Sequence, residues 1–403
     1  MNHKKHGTMR TTILIAVAAA LLAGALSAAP QTFTREYVYE ATDYDSRLTC
    51  RAIALEQVKR SLLDELGTYL ESSSEYRQGV LVRDDIAVMT AGIVQVKVQG
   101  ETWDGKNYWI KAELTADPDS VLASLRAVLA DRDRARELLA LKARADQAMQ
   151  EIDRLRHELA AAQSDNFMFA RQISYLRQAQ VLSSAEWAYR GTAYLIAGDN
   201  GLALGAFTKA LENDSASAVS YANRGVLYAR AGDYLAAFKD YSAALRLDPK
   251  NPRTFYNRGI ADFKLGDLDA AVRDFSEAVA LAPDDRPAWF NRALAYQQKK
   301  QYQKSVLDFD RAVALDSTDA AAFVGRGASQ TGLRQYKPAI ADYSRAIALD
   351  PNNGDAFAGR AEARLLAGDQ AKAFDDAQAA AALGNQDVRV LLDKLQLLLQ
   401  KGH

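Results

Sequence analysis

A single cysteine in 403 residues, Cys50, excludes an internal disulfide. It falls in a helical pattern with Leu48, Leu55, Val58 and Leu62, where a buried, inert thiol is expected. Histidine is almost as scarce. After residue 29 only His157 and His403 remain, one in a long helical stretch and one at the last position, so no recognisable triad or metal cluster is present. There is no glycine-rich phosphate loop. With 50 basic against 51 acidic residues, no charge excess points to nucleic acid. Carboxylates are plentiful, but Asp43, Asp45, Asp84 and Asp85 read as turn and cap residues. An enzyme, a cofactor and a metal site are therefore not expected.

Long apolar runs are missing too, with one exception near the start. Lys4, Lys5 and Arg10 precede the uncharged run Ile13 to Leu26, and Ser27, Ala28 and Ala29 follow, the order of a secretory signal peptide over residues 1–29. The run of 14 residues is short of the roughly 20 that span a bilayer, which favours cleavage over the alternative, an uncleaved inner-membrane anchor. Export, most simply to a periplasm, is the expected location.

Glycine and proline are absent from Asp119 to Arg190, 72 residues that consequently read as helix, started by Asp117 and Pro118. Leu138, Ala145, Ile152, Leu159, Asn166 and Ile173 are seven apart, as are Leu141, Ala148, Leu155, Ala162, Phe169 and Leu176. This heptad seam predicts a coiled coil over 118–183, with Ile152, Leu155, Leu159, Asn166, Phe169, Ile173 and Leu176 joining copies into a homo-oligomer, dimer or trimer. The alternative is a helix folded back on the chain's own domains.

Residues 30–117 change period. Phe33, Arg35, Tyr37 and Tyr39 alternate as in a strand, Asp45 to Leu70 reads as a helix, and Ile86 to Gly100 and Asn107 to Leu114 read as strands joined through Asp104 and Gly105. The expected unit is a small α+β domain of β-α-β-β order. Its helix "CRAIALEQVKRSLLDELGTYLESS" followed by "TAGIVQVKVQGETWDGKNYWIKAEL" resembles the N-terminal domain of flagellar assembly protein T, which implies an envelope location.

The second half repeats. Gly191, Gly225, Gly259, Ala293, Gly327 and Ala361 are each 34 residues apart, and so are Ala203, Ala237, Ala271, Ser305, Ala339 and Ala373. Phe207, Tyr241, Phe275, Phe309 and Tyr343 recur, each with an alanine three residues on, from Ala210 to Ala346. The pattern resembles the tetratricopeptide repeat: six units over 184–385, with Trp187, Gly191, Tyr194, Ala203, Phe207 and Ala210 matching the motif in the first. Residues 386–403 supply a capping helix and tail, the sixth unit having Ala377 in place of the aromatic residue. The fold class is multidomain: a small α+β domain, a long coiled-coil helix and an α-solenoid of six helix pairs with a cap.

Family resemblance implies a concave groove, lined by the first helix of each pair, that binds a peptide or protein. On this chain the matching places are Tyr256, Ile260 and Phe263 in unit three and Phe290, Leu294 and Gln297 in unit four, flanked by Arg230, Arg253 and Lys264. Asn223, Asn257 and Asn291 are further candidate contacts. Ala188 and Ala222 fill the places of the lysine that begins a carboxylate clamp in chaperone-binding members, which argues against that partner. Arg190, Arg224, Arg258, Arg292, Arg326 and Arg360 form a ladder that reads as structural, each paired with an aspartate such as Asp240 or Asp274. The layout is similar to periplasmic coordinators that combine a coiled coil with repeats. The expected function is an exported scaffold of the cell envelope with a protein or peptide partner and no small-molecule cofactor; the alternatives are a part of an envelope appendage or secretion assembly, and a wall hydrolase.

Overall fold

The computed structural model describes residues 30–42, 45–72, 94, 96–117, 120–121, 123–125, 131–161 and 165–401. The signal-peptide reading, Asp43, Asp84, Asp85 and His403 lie outside them.

Strand β1 (Gln31–Glu40), helix α1 (Arg47–Ser72) and strands β2 (Val96–Trp103) and β3 (Asn107–Ala116) make an antiparallel sheet of order β1-β3-β2 with α1 packed on it. Alternation does the work: Tyr108, Ile110, Ala112 and Leu114 point from the central strand onto α1 and are fully buried. Gly105 takes a left-handed φ of 94° in the tight turn, where the Asp104 carboxylate accepts from the Lys106 and Asn107 amides. Cys50 is buried, and burial pushes its thiol up to about 12, which suits an inert side chain. Asp45 is a turn acceptor, taking hydrogen bonds from the Thr42 amide and from the hydroxyls of Thr42, Thr49, Tyr39 and Tyr175.

The helical stretch is not the single helix the sequence predicts: residues 120–121 and 123–125 are helical, residue 131 is not, and α2 (Arg132–Ala161) and α3 (Asp165–Ile196) follow, packed along each other as a hairpin. Leu138, Leu141, Ala145, Ala148, Ile152, Leu155 and Leu159 are buried within one chain, in a core that also holds Tyr39, Leu62, Ile110, Tyr175 and Tyr189. The seam thus needs no second copy to leave water. Ile173 and Leu176 are 44% and 38% exposed, while the side chains of Asn166 and Phe169 lie outside the description. This core runs from the sheet into the first repeat at Ala210, so the hairpin is not a spacer, and α3 passes unbroken through the expected boundary at residues 183 and 184.

The C-terminal part of α3 pairs with α4 (Asn200–Asn213) to form unit one. There follow α5 (Ala218–Arg230) with α6 (Tyr234–Leu247), α7 (Pro252–Leu265) with α8 (Leu268–Leu281), α9 (Arg286–Gln298) with α10 (Tyr302–Leu315), α11 (Ala320–Gly332) with α12 (Tyr336–Leu349), and α13 (Gly354–Leu366) with α14 (Gln370–Ala382). Helix α15 (Arg389–Lys401) covers the last pair through Leu395, and Val388 just before it joins the same cluster. Asp199, Asp233, Asp267 and Asp369 cap the second helices by accepting an amide two residues into them. Each unit closes on a small-residue crossing. A Cβ on Gly225 would stand 2.7 Å from the Tyr241 ring, and one on Gly259 2.8 Å from that of Phe275, so only glycine allows these helices their approach.

Candidate partner groove

First helices of successive pairs touch one another along one side of the stack: α5 meets α7, α7 meets α9, α9 meets α11 and α11 meets α13. They form the inner track of the superhelix.

The arginine ladder is structural. Arg224, Arg258, Arg292, Arg326 and Arg360 each donate from Nε and Nη2 to one aspartate of the same unit: Asp240, Asp274, Asp308, Asp342 and Asp376. The third nitrogen of Arg258, Arg292 and Arg360 reaches a serine of the preceding unit, Ser242, Ser276 and Ser344, at 3.0–3.2 Å, which ties unit to unit. Hydrogen bonding to Asp274 holds the Arg258 guanidinium above its ordinary range despite partial burial. Arg190 departs from the ladder. Ala206 occupies the place of its aspartate, and Arg190 turns instead to Glu186 at 2.5 Å and to the Trp187 ring.

The candidate groove residues divide into three sets. Two are covered by the chain itself: Asn223 is buried and donates to Glu137 of α2 at 3.0 Å, and Arg253 donates to the same carboxylate at 3.2 Å. Arg144 of α2 also bonds Asp214 and the Ala216 carbonyl, so α2 is fastened across the entrance of the inner track. Burial pushes the Glu137 carboxyl above its usual range, with Arg253 and Asn223 opposing the shift.

A second set is engaged between helices. Tyr256 leans on the buried Phe275 ring at 6.0 Å and its hydroxyl accepts from Asn291 at 3.0 Å; Phe290 meets Phe309 edge-on at 5.5 Å. Tyr256 and Phe290 therefore each pack on the aromatic residue of their own unit, where the family mapping had them as paired surface anchors. Ile260 and Phe263 pack on the same small core, and Gln297 donates to the Gly325 carbonyl and Ser329 hydroxyl of the next unit.

The third set faces solvent. Lys264 and Arg230 are exposed, the latter touching Asn200, while Asn257 and Leu294 are half-buried. Asn257 and the outer edge of Tyr256 open into a cleft of about 1030 Å³ between the start of α2 and units two to four, whose rim carries Asp131, Arg136, Lys250 and Asp284. Burial raises the Tyr256 phenol, so it stays a neutral hydrogen-bonding group there.

Three tetratricopeptide-repeat family profiles match the chain, over residues 190–252, 225–288 and 287–319. Residues 190–319 are tetratricopeptide repeats. The same helix pairs continue in register to Ala382. Solved structures resembling this chain include YrrB, described as a TPR protein with an unusual peptide-binding site, at 20% identity and a TM-score of 0.44 over 47% of this chain and 99% of that one. PilF of Pseudomonas aeruginosa matches at 20% identity and a TM-score of 0.45 over 54% and 98%, and MamA residues 41-end of Desulfovibrio magneticus RS-1 at 24% and 0.40 over 41% and 94%. No curated protein sequence matches the chain.

One residue of the tetratricopeptide array escaped the sequence reading. Asp262 of α7 stands where Tyr194, Tyr228 and Tyr296 stand in other units, is 4% exposed, and is raised to about 7 by burial and then by the neighbouring Asp274 carboxylate. The break in register at this position was the available signal. Arg364 fills the same place in unit six and pairs with Asp376 at 2.7 Å, the charge arrangement that Asp262 lacks. Among the described residues no cluster suited to a metal ion occurs, and no helix is long and apolar enough to cross a membrane.

Proposed function

We propose that this chain is an exported protein–protein interaction scaffold of the cell envelope that takes an extended partner segment in the cleft between α2 and units two to four. The tetratricopeptide fold suggests peptide or protein binding. The observation that carries the particular site is the cleft of about 1030 Å³, where Tyr256 and Asn257 meet a rim of mixed charge. Since α2 already holds Asn223 of unit two and Arg253 at the start of unit three, the open contacts are Tyr256 and Asn257. The test is to select peptides on the full chain from a random library and measure them against Asn257→Trp, which fills the cleft from a half-buried position. At least a tenfold loss of affinity in a variant with unchanged melting temperature is expected, the effect of blocking an anchor position. Unchanged affinity would move the site elsewhere.

Export rests on the order of charges, apolar run and small residues before Pro30. Self-association rests on Ile173 and Leu176, two large apolar side chains one turn apart and exposed on α3. One preparation from the source cell tests both. The mature chain should begin between Ala28 and Gln31 and sediment as an oligomer that Ile173→Asp/Leu176→Asp disperses; a first residue of Met1 would remove cleavage, and a monomer at about ten micromolar would remove association.

A further inference from the structure

A second cavity, of about 600 Å³, lies where the N-terminal domain meets the start of the array, between α1, the edge strand β2 and α3. That size is in the range of small-ligand pockets. Leu55, Val94, Val96, Val98 and Ala193 give it apolar walls, and four cations line it: Arg51, Lys59, Lys97 and Arg190.

Three of those cations have carboxylate neighbours. Arg51 bonds Glu101 at 2.9 Å, Arg190 bonds Glu186 at 2.5 Å, and Lys97 stands opposite Glu113 in the β2–β3 register. Lys59 has none. It is 8% exposed, its ammonium lies 4.1 Å from the centre of the Tyr189 ring, and among the described residues it makes no hydrogen bond or ion pair. The acidic residues nearest to it are taken, Glu56 by Arg60 at 2.9 Å and Glu186 by Arg190. A buried lysine beside an open cavity, with a ring and two distant carboxylates but no ion pair of its own, is only partly compensated, and a ligand that brings one negative charge reduces the remaining cost. Burial also holds the ammonium below its ordinary range, against the pull of Glu56 and Glu186, which a bound anion would offset.

We propose that this cavity binds a carboxylate carried on an apolar body, the carboxylate pairing with Lys59 and the body resting on Leu55, Val96, Val98 and Ala193. One unmatched cation selects a monoanion over a phosphate ester, and the aliphatic walls select an apolar remainder over a sugar or nucleotide. The same chemistry is offered by a free medium-chain carboxylate and by the C-terminal residue of a polypeptide.

Calorimetric titration of the full chain with sodium octanoate, with octanamide and with a hexapeptide ending in a free leucine carboxylate separates these sources. One of the two acids should saturate a single site, the tighter one naming the source, and octanamide should not. Lys59→Gln should weaken that binding at least about tenfold, as loss of a charged hydrogen-bond partner does. Ala193→Trp, which fills the cavity from α3 and keeps the Lys59 charge, should abolish it, and decides the matter if Lys59→Gln fails to fold. No saturation by either acid at about 10 mM, equal affinity in Lys59→Gln, full affinity in Ala193→Trp, or octanamide binding as well as octanoate would each overturn the proposal.

Discussion

Arg258→Ala is expected to destabilise the array by about 4 kcal/mol, more than the same change at Arg292 or Arg326, while leaving partner affinity little changed. Arg258 donates to both oxygens of Asp274 at 2.6 and 2.8 Å, and those oxygens have almost no water to turn to, since Asp274 is 6% exposed. In unit three alone the loss also leaves the buried Asp262 carboxylate beside Asp274 without the Arg258 charge, which offsets their repulsion more than Arg273 does. Adding Asp262→Asn should recover about 1 kcal/mol of the loss, a coupling that a double-mutant cycle reads directly.

Acidity supplies an independent check. The Asp262 carboxyl has an ordinary value of 3.8 and is raised to about 7 in the fold, so the folded state holds a proton that the unfolded chain has released. Its contribution to stability is complete below the ordinary value and is lost as pH rises through about 7. The wild-type melting temperature should therefore climb between pH 8 and pH 5, and Asp262→Asn should flatten that slope and gain about 2 kcal/mol at pH 8, a figure halved for the water that reaches the group. Equal losses at all three arginines, with a slope unchanged by Asp262→Asn, would contradict this account.

Gly325→Val should be as damaging, costing about 3 kcal/mol or more. A Cβ at Gly325 would stand 2.3 Å from the end of the Phe309 ring, which is fully buried and has nowhere to turn. The carbonyl of Gly325 also accepts from Gln297 and Ser329, so a shift of this backbone would break contacts in two units. Gly205 is the control. It is exposed in α4 with nothing within 4 Å of an added Cβ, and Gly205→Ala should gain about 0.5–1 kcal/mol. Urea midpoints of the two variants, moving in opposite directions, would show that crossing distance governs Gly325 while helix propensity governs Gly205.

Gly325 and Gly359 continue the register of Asn223, Asn257 and Asn291, and this illustrates what the sequence can carry. The repeat itself was legible because each unit restates the same crossing, so an error at one position is corrected by the others. The pairing of Arg224 through Arg360 with aspartates was legible for the same reason, each partner lying 16 residues on. The α2–α3 hairpin was not. A heptad seam buries the same leucines whether its partner is another chain or the chain's own next helix, and nothing local distinguishes the two. Glu137 was equally hidden, since its contacts lie 86 and 116 residues away in Asn223 and Arg253. For Tyr256 and Phe290 the register placed the helices correctly, but the direction of each ring is decided by Phe275 and Phe309 beneath it.

Helix α3 is 32 residues long, about 48 Å at the usual rise, and it belongs at once to the hairpin, to the wall of the Lys59 cavity and to the first unit of the array. A strut of that kind behaves as a ruler. Whatever occupies the cavity and whatever occupies the groove are held at one separation and one angle, so a molecule able to reach both would find its second contact at a high effective concentration, while one whose two contacts are spaced differently would gain nothing from the second.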